Sequence, residues 1–133
     1  MSLDEQGVIR TRTILIVDDE KKMRMRFKKA LKDEGYKAIE AASALAVADL
    51  LMKKGSDLDL ILLDINIPYL DGREIFDIID QYAPNMPIIV TSVHPIMDQK
   101  LKIPRATDYY QKLHKIETLL GKVKSALGIA AKR

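Results

Sequence analysis

The sequence predicts an α/β fold in which a five-stranded parallel sheet carries helices on both faces. Three observations predict it. Short apolar runs alternate strictly with segments of helical period, five times over. The runs are nearly continuous rather than alternating, as strands covered on both faces are. The length of 133 residues, 47% of them hydrophobic, suits one domain with a genuine core.

Taken in order, Ile14 to Val17 is a buried strand that ends in Asp18-Asp19. Glu20 to Glu34 follows a helical period, with Met23, Phe27, Ala30 and Leu31 on one face and basic residues around the rest. Gly35 stands where a helix C-cap glycine belongs. Lys37 to Glu40 reads as the second strand. Ser43 is the expected N-cap of a helix running through Leu45, Leu50 and Leu51 to Lys54, with Gly55 at its end. Leu58 to Leu63 is the most apolar strand and stops at Asp64. A loop, Ile65 to Asp71, carries Pro68 and leads to a third helix from Gly72 to about Gln81, with Ile75, Phe76, Ile78 and Ile79 inward. Ile88 to Thr91 is a strand ending at Ser92. A short helix, Ile96 to Ile103, lies between Pro95 and Pro104. Asp108 to Gln111 is the fifth strand, ending at Lys112. His114 to Leu127 is the last helix, with Ile116, Leu119, Leu120, Val123 and Leu127 inward. Right-handed crossovers leave few topologies, and the flavodoxin-like strand order 2-1-3-4-5 is expected. Residues 1–12 read as an N-terminal extension in which Met1-Ser2-Leu3 has the look of a vector remnant, 13–127 as the domain, and 128–133 as a frayed end.

Composition narrows the function. Without cysteine there is no disulfide framework and no thiolate metal site. No apolar run approaches a membrane span and no signal pattern opens the chain, so a cytoplasmic protein without membrane attachment is expected. The net charge of +3 is weak for a dedicated nucleic-acid binder, and direct nucleic-acid binding is not expected. The basic residues are concentrated, however, at Lys21, Lys22, Arg24, Arg26, Lys28, Lys29 and Lys32.

The strand ends carry the chemistry. Asp18-Asp19, Asp64, Ser92 and Lys112 each close a strand, and in an open parallel sheet such ends share one edge, where ligands bind at the reversal of strand order. For order 2-1-3-4-5 that point lies between strands one and three, which brings the aspartates together. Clustered carboxylates repel, so a proton or a cation must enter. An all-oxygen site with few protein ligands suits Mg²⁺. Lys112 can supply a second positive charge and Ser92 a hydrogen bond, which together describe a phosphoryl-transfer site with Asp64 as nucleophile. A plainer reading of Asp18 and Asp19 is an N-cap for the first helix.

The pieces "ILIVDDE" at Ile14–Glu20, "LILLDINIPYLDG" at Leu60–Gly72, "PIIVTS" at Pro87–Ser92 and "ATDYYQK" at Ala106–Lys112 are similar to receiver domains of bacterial two-component response regulators, of the chemotaxis-regulator type. The resemblance spans about Thr13 to Leu127. It implies that Asp64 is the phosphoacceptor and that Asp18 and Asp19 hold Mg²⁺, with the Asn66 backbone carbonyl also contributing. It further implies that Ser92 is the hydroxyl that turns toward the phosphoryl group, Lys112 the pairing lysine, and Tyr109 the aromatic switch that follows Ser92. Counting from Pro87 selects Ser92 over Thr91, which strand alternation would point away. Three positions depart from the family pattern: Leu113 replaces proline, Val93 a small residue, and Arg105 a glycine. The expected partner is a sensor histidine kinase or a histidine phosphotransfer protein, docking through the basic helix 20–34. The face of helix four, strand five and helix five is the expected output and homodimer surface. His94 and His114 read as ordinary surface residues. Two rival readings stand beside this one: a pseudo-receiver that binds partners without phosphorylation, and an aspartyl phosphohydrolase. The latter would want a second aspartate where Asn66 stands. Apart from phosphoryl transfer to its own aspartate and loss of that group, no enzymatic activity is expected.

Overall fold

A computed structural model describes residues 2–3, 7, 9–66 and 72–128. Five strands form one parallel sheet: β1 (Thr13–Val17), β2 (Lys37–Ala41), β3 (Leu60–Asp64), β4 (Ile88–Ser92) and β5 (Asp108–Gln111). Their spatial order is β2-β1-β3-β4-β5, the expected 2-1-3-4-5. The strands alternate with α1 (Lys21–Asp33), α2 (Ala44–Lys54), α3 (Gly72–Tyr82), α4 (Ile96–Lys102) and α5 (Ile116–Ala126). Ahead of the sheet, Ser2–Leu3 pairs antiparallel with Ile9–Arg10. No helix among the described residues is long and apolar enough to cross a membrane.

The sheet separates two apolar layers, and strand alternation assigns the residues to each. Ile14, Ile16, Leu60, Leu62, Ile89 and Tyr110 pack with Phe27 and Leu31 of α1 and with Leu119 and Val123 of α5. Leu15, Val17, Ile61, Leu63, Val90 and Tyr109 face the other way, onto Val47 and Leu51 of α2, Ile75, Phe76 and Ile79 of α3, and Ile103 at the end of α4. β1, β3 and β4 are buried along their whole length, which is why their sequences are continuous apolar runs.

Local signals explain several boundaries. Gly35 has φ of 90° and lets the Tyr36 N–H return to the Leu31 carbonyl at 3.1 Å, closing α1. Ser43 Oγ accepts from the Ala46 N–H at 3.2 Å and starts α2. Of that helix, Leu45 is exposed, whereas Val47 and Leu51 are buried.

Two element starts differ from the sequence reading by two residues. β3 begins at Leu60 rather than Leu58. Gly55–Asp57 form a 3₁₀ turn, and Asp59 is committed to β1: its N–H donates to the Thr13 carbonyl at 2.8 Å and its carboxylate accepts from the Thr13 N–H at 2.8 Å. α5 begins at Ile116 rather than His114. The Tyr110 hydroxyl donates to the carbonyls of His114 and Lys115, and the His114 N–H closes a turn on the Gln111 carbonyl at 2.9 Å. The loop expected at 65–71 lies outside the described residues beyond Asn66. So does the frayed end beyond Gly128.

α3 starts hard against the end of β3. A Cβ added at Gly72 would stand 2.6 Å from Ile65 Cβ and 2.7 Å from Ile65 Cα, whereas one at Gly55 meets nothing within 4 Å. Gly72→Ala is therefore expected to destabilise the protein by about 1–3 kcal/mol, the cost of overpacking. Gly55→Ala, in ordinary helical backbone, is expected to leave stability unchanged or to raise it by about 0.4–1 kcal/mol. Denaturant midpoints of the two variants check both expectations, and equal midpoints would contradict the packing at Gly72.

Candidate functional site

The carboxyl ends of β1, β3 and β5 deliver Asp18, Asp64 and Lys112 to one place. By alternation Asp18 and Asp64 continue the face of Ile16 and Leu62, and Lys112 continues that of Tyr110, so all three lie above the layer shared with α1 and α5. Lys112 Nζ stands 2.8 Å from Asp18 Oδ2 and 3.3 Å from Asp64 Oδ2. The three side chains are almost wholly buried: Asp18 is 1%, Asp64 2% and Lys112 5% exposed. Asp19 is exposed, yet a carboxylate oxygen from each of Asp18, Asp19 and Asp64 can be chosen so that all lie within 4.8 Å of one another.

The backbone around these groups is fixed by donors to the carboxylates. Asp18 Oδ1 accepts from the Glu20 N–H at 2.9 Å and Asp64 Oδ1 from the Asn66 N–H at 2.9 Å. The N-cap of α1 is Glu20, with no side-chain cap bond, so neither Asp18 nor Asp19 serves the plain capping role considered above. Arg24 of α1 donates from Nη1 to the Asp18 carbonyl at 2.7 Å and from Nε to Glu40 of β2 at 3.2 Å. Lys28 also meets Glu40, at 3.2 Å. Two of the seven clustered basic residues therefore work inward: Arg24 holds the turn that presents Asp18 and Asp19, and Lys28 shares Glu40 with it.

Ser92 reaches the same edge by another route. Its Oγ accepts from Asn66 Nδ2 at 2.7 Å and from the His94 N–H at 3.1 Å. Thr91 is the register partner of Asp64, so alternation places Thr91, not Ser92, on the sheet face of Asp64. Alternation does separate the two hydroxyls, but it does not turn Thr91 away as expected. Ser92 instead sits on the face of Val90 and Tyr109 and touches the site around the strand end, through Asn66. Tyr109 is buried on that face, its hydroxyl donating to the Ile103 carbonyl. Val93 and Leu113 are exposed, and none of the described peptide bonds, Lys112–Leu113 included, is cis.

Electrostatically the cluster is under-compensated. Burial pushes the Asp64 carboxyl above its ordinary pKa; the Asn66 N–H and the Lys112 charge pull it down, and the Asp18 charge adds to the rise. Burial also opposes the Lys112 ammonium, but its contact with Asp18 and the charges of Asp64 and Asp18 outweigh that and hold its pKa above the usual lysine value. The two directions are consistent with one ammonium shared by two buried carboxylates: the lysine is well served and Asp64 is not. Asp18 Oδ2 accepts no hydrogen bond of good geometry among the described residues, although Lys112 stands beside it. A buried oxygen in that condition, within a cluster of hard oxygen donors, fits a small divalent cation.

Sequence reasoning missed two contributors, Arg24 and the side chain of Asn66, and also Gln99, which lies outside the acidic cluster and whose amide donates to the His94 carbonyl at 2.9 Å beneath this edge. Only Gln99 left a trace in the sequence, as a polar residue between Ile96 and Ile103 at core spacing.

Comparison with known proteins agrees with this arrangement. Residues 14–124 match the family described as response regulator receiver domain. Sporulation initiation phosphotransferase F of Bacillus subtilis (strain 168) is 32% identical over 116 residues, which cover 86% of this chain and 92% of that protein. Transcriptional regulatory protein YxdJ of the same organism is 31% identical over 115 residues, 86% of this chain. The chain spans 49% of that second relative's length. Among solved structures, a CheY-like response regulator receiver domain protein from Methanospirillum hungatei JF-1 aligns with a TM-score of 0.81 at 26% identity, covering 90% of this chain and 95% of that one. Response regulator protein TrrA from Thermotoga maritima, solved in complex with Mg²⁺–BeF, aligns with a TM-score of 0.78 at 28% identity, covering 87% and 99%.

Charge imbalance at the edge sets a stability test in metal-free buffer. Asp64→Asn removes one buried carboxylate and leaves Lys112 paired with Asp18, so it is expected to stabilise by about 1–2 kcal/mol at neutral pH. Because the folded-state pKa of Asp64 is raised, its contribution favours folding below the unfolded-state pKa and is lost as pH rises through the folded value. The advantage of the variant should thus vanish in acid, where both side chains are neutral. Lys112→Met leaves the carboxylates facing each other and is expected to cost about 3–5 kcal/mol. Urea unfolding across pH measures both, and a pH-independent gain for Asp64→Asn would contradict the assignment.

Proposed function

The chain belongs to the response regulator receiver domain family, and from that premise we propose that Asp64 is its phosphoryl acceptor, within a receiver domain spanning 13–127. Receiver domains of two-component systems work with histidine kinases or phosphotransfer proteins. The observation that carries the reading is the burial of Lys112 Nζ against both Asp18 Oδ2 and Asp64 Oδ2 where their strands end.

In the proposed transfer, a carboxylate oxygen of Asp64 forms a bond to phosphorus as the P–N bond of the donor phosphohistidine breaks. The departing imidazole nitrogen takes up a proton. Mg²⁺ is the proposed cation, held by Asp18, Asp19, Asp64 and the backbone carbonyl of Asn66. When bound, such an ion offsets the carboxylate charge and offers a coordination position to a phosphoryl oxygen. Lys112, kept protonated by its two carboxylates, provides the fixed positive charge for the acyl phosphate. Ser92 supplies a hydroxyl once Asn66 Nδ2 releases it, and Tyr109, inward on the same face, is the proposed switch. The absence of an acidic group two residues after Asp64, where Asn66 stands, supports a persistent acyl phosphate over a phosphohydrolase.

Docking of the kinase or phosphotransfer partner through α1 is proposed to use the exposed Lys21, Lys22, Arg26 and Lys32, because Arg24 and Lys28 are engaged with Glu40. Exposed Met97 and Leu101 on α4 support the α4–β5–α5 face as the output and homodimer surface.

Incubation with acetyl phosphate and Mg²⁺ tests the acceptor. The unmodified chain is expected to gain one alkali-labile phosphoryl group, and Asp64→Asn to gain none by mass spectrometry. Full labelling of the variant would remove Asp64 from the role. Labelling of the unmodified chain that persists in excess chelator would remove the metal.

A further inference from the structure

α4 carries a polar residue where its spacing marks a core position. Gln99 lies between Ile96 and Ile103 and is completely buried. Its Nε2 donates to the His94 carbonyl at 2.9 Å and to the Tyr110 carbonyl at 3.1 Å. Those two acceptors fix the amide, since the flipped group would set its oxygen against both carbonyls. Oε1 is left without a hydrogen-bond partner among the described residues, a condition that favours any shift admitting a donor.

Two lines of hydrogen bonds meet at this residue. On one side His94, whose carbonyl takes the Gln99 amide, gives its own N–H to Ser92 Oγ at 3.1 Å. On the other, the Gln99 backbone carbonyl accepts from the Ile103 N–H at 2.8 Å, and the Ile103 carbonyl accepts from the Tyr109 hydroxyl. The path from Ser92 to Tyr109 is continuous and runs through α4. Beside it lies a cleft of about 310 Å³, lined by Ile65, Asn66, His94, Asp98, Gln99 and Lys102.

Resting on the reading of Asp64 as phosphoryl acceptor, we propose that Gln99 is a positioning residue that ties the turn after β4 to α4 and β5. A change at Ser92 is passed to Tyr109 by way of this amide, not by contact between the two side chains.

Gln99→Met keeps the side-chain volume and removes both donors. The probe is beryllofluoride with Mg²⁺ as the acyl-phosphate mimic, added to protein labelled with fluorotyrosine, with Tyr109→Phe assigning the Tyr109 fluorine signal. The Met variant is expected to bind the mimic within about twofold of the unmodified affinity while its Tyr109 response falls at least ~fivefold. A variant that keeps both its affinity and its full Tyr109 response overturns the proposal. Should the variant not fold, the Gln99 side-chain amide signals of the unmodified protein decide. They are expected to shift on addition of the mimic, and signals that stay in place overturn the proposal. An unmodified chain that does not bind the mimic overturns the acceptor reading itself, and the role of Gln99 with it.

Discussion

One buried ammonium set between two buried carboxylates is the constraint that most of the upper half of the molecule serves. Lys112 arrives from the last strand, Asp18 from the first and Asp64 from the third, and with β1 and β3 adjacent a single lysine touches both acids. Carboxylates buried this way are costly unless paired. The local details follow from that cost. Backbone N–H groups of Glu20 and Asn66 are spent on the two acids. Arg24 holds the carbonyl of Asp18, and Glu40 in turn holds Arg24. What results is a hydrogen-bonded rim with more carboxylates than cations: Asp18, Asp19 and Asp64 around the single Lys112.

The fold was legible because its strands are buried on both faces. That burial demands continuous apolar runs, and the runs could be counted. Gly35 and Ser43 marked helix ends because their roles are local, one a left-handed backbone position and the other a side chain bonding three residues ahead. The misplaced boundaries had causes outside propensity and period. Asp59 left the third strand because it bonds Thr13, and the fifth helix started late because the Tyr110 hydroxyl occupies carbonyls at its entrance. The first depends on a contact between residues 46 apart, which no window of sequence contains; the second spans only four and five residues, but where the Tyr110 hydroxyl lands follows from the packing of its buried ring.

The site followed the same division. Asp18, Asp19, Asp64, Ser92 and Lys112 were readable because each closes a strand, and strand ends share an edge in any parallel sheet. The residues that hold them were not. Arg24 resembled its basic neighbours on α1, and only the pose of the helix turns it inward. Thr91 and Ser92 could be told apart by alternation, but the face that each occupies depends on how β4 is registered against β3, which is a property of the sheet. Asn66 was noted for its carbonyl, while its side chain proved to be the group in contact with Ser92.

Order along the chain adds a consequence for biosynthesis. Asp18, Asp19 and Asp64 all lie in the first half of the sequence, and β2, β1 and β3, neighbours in the sheet, can associate as soon as residue 64 has emerged. The compensating Lys112 emerges much later, with β5. A nascent chain thus holds all three aspartates before the lysine that pairs with two of them has been made, at a stage when partly folded chains are vulnerable to misassembly.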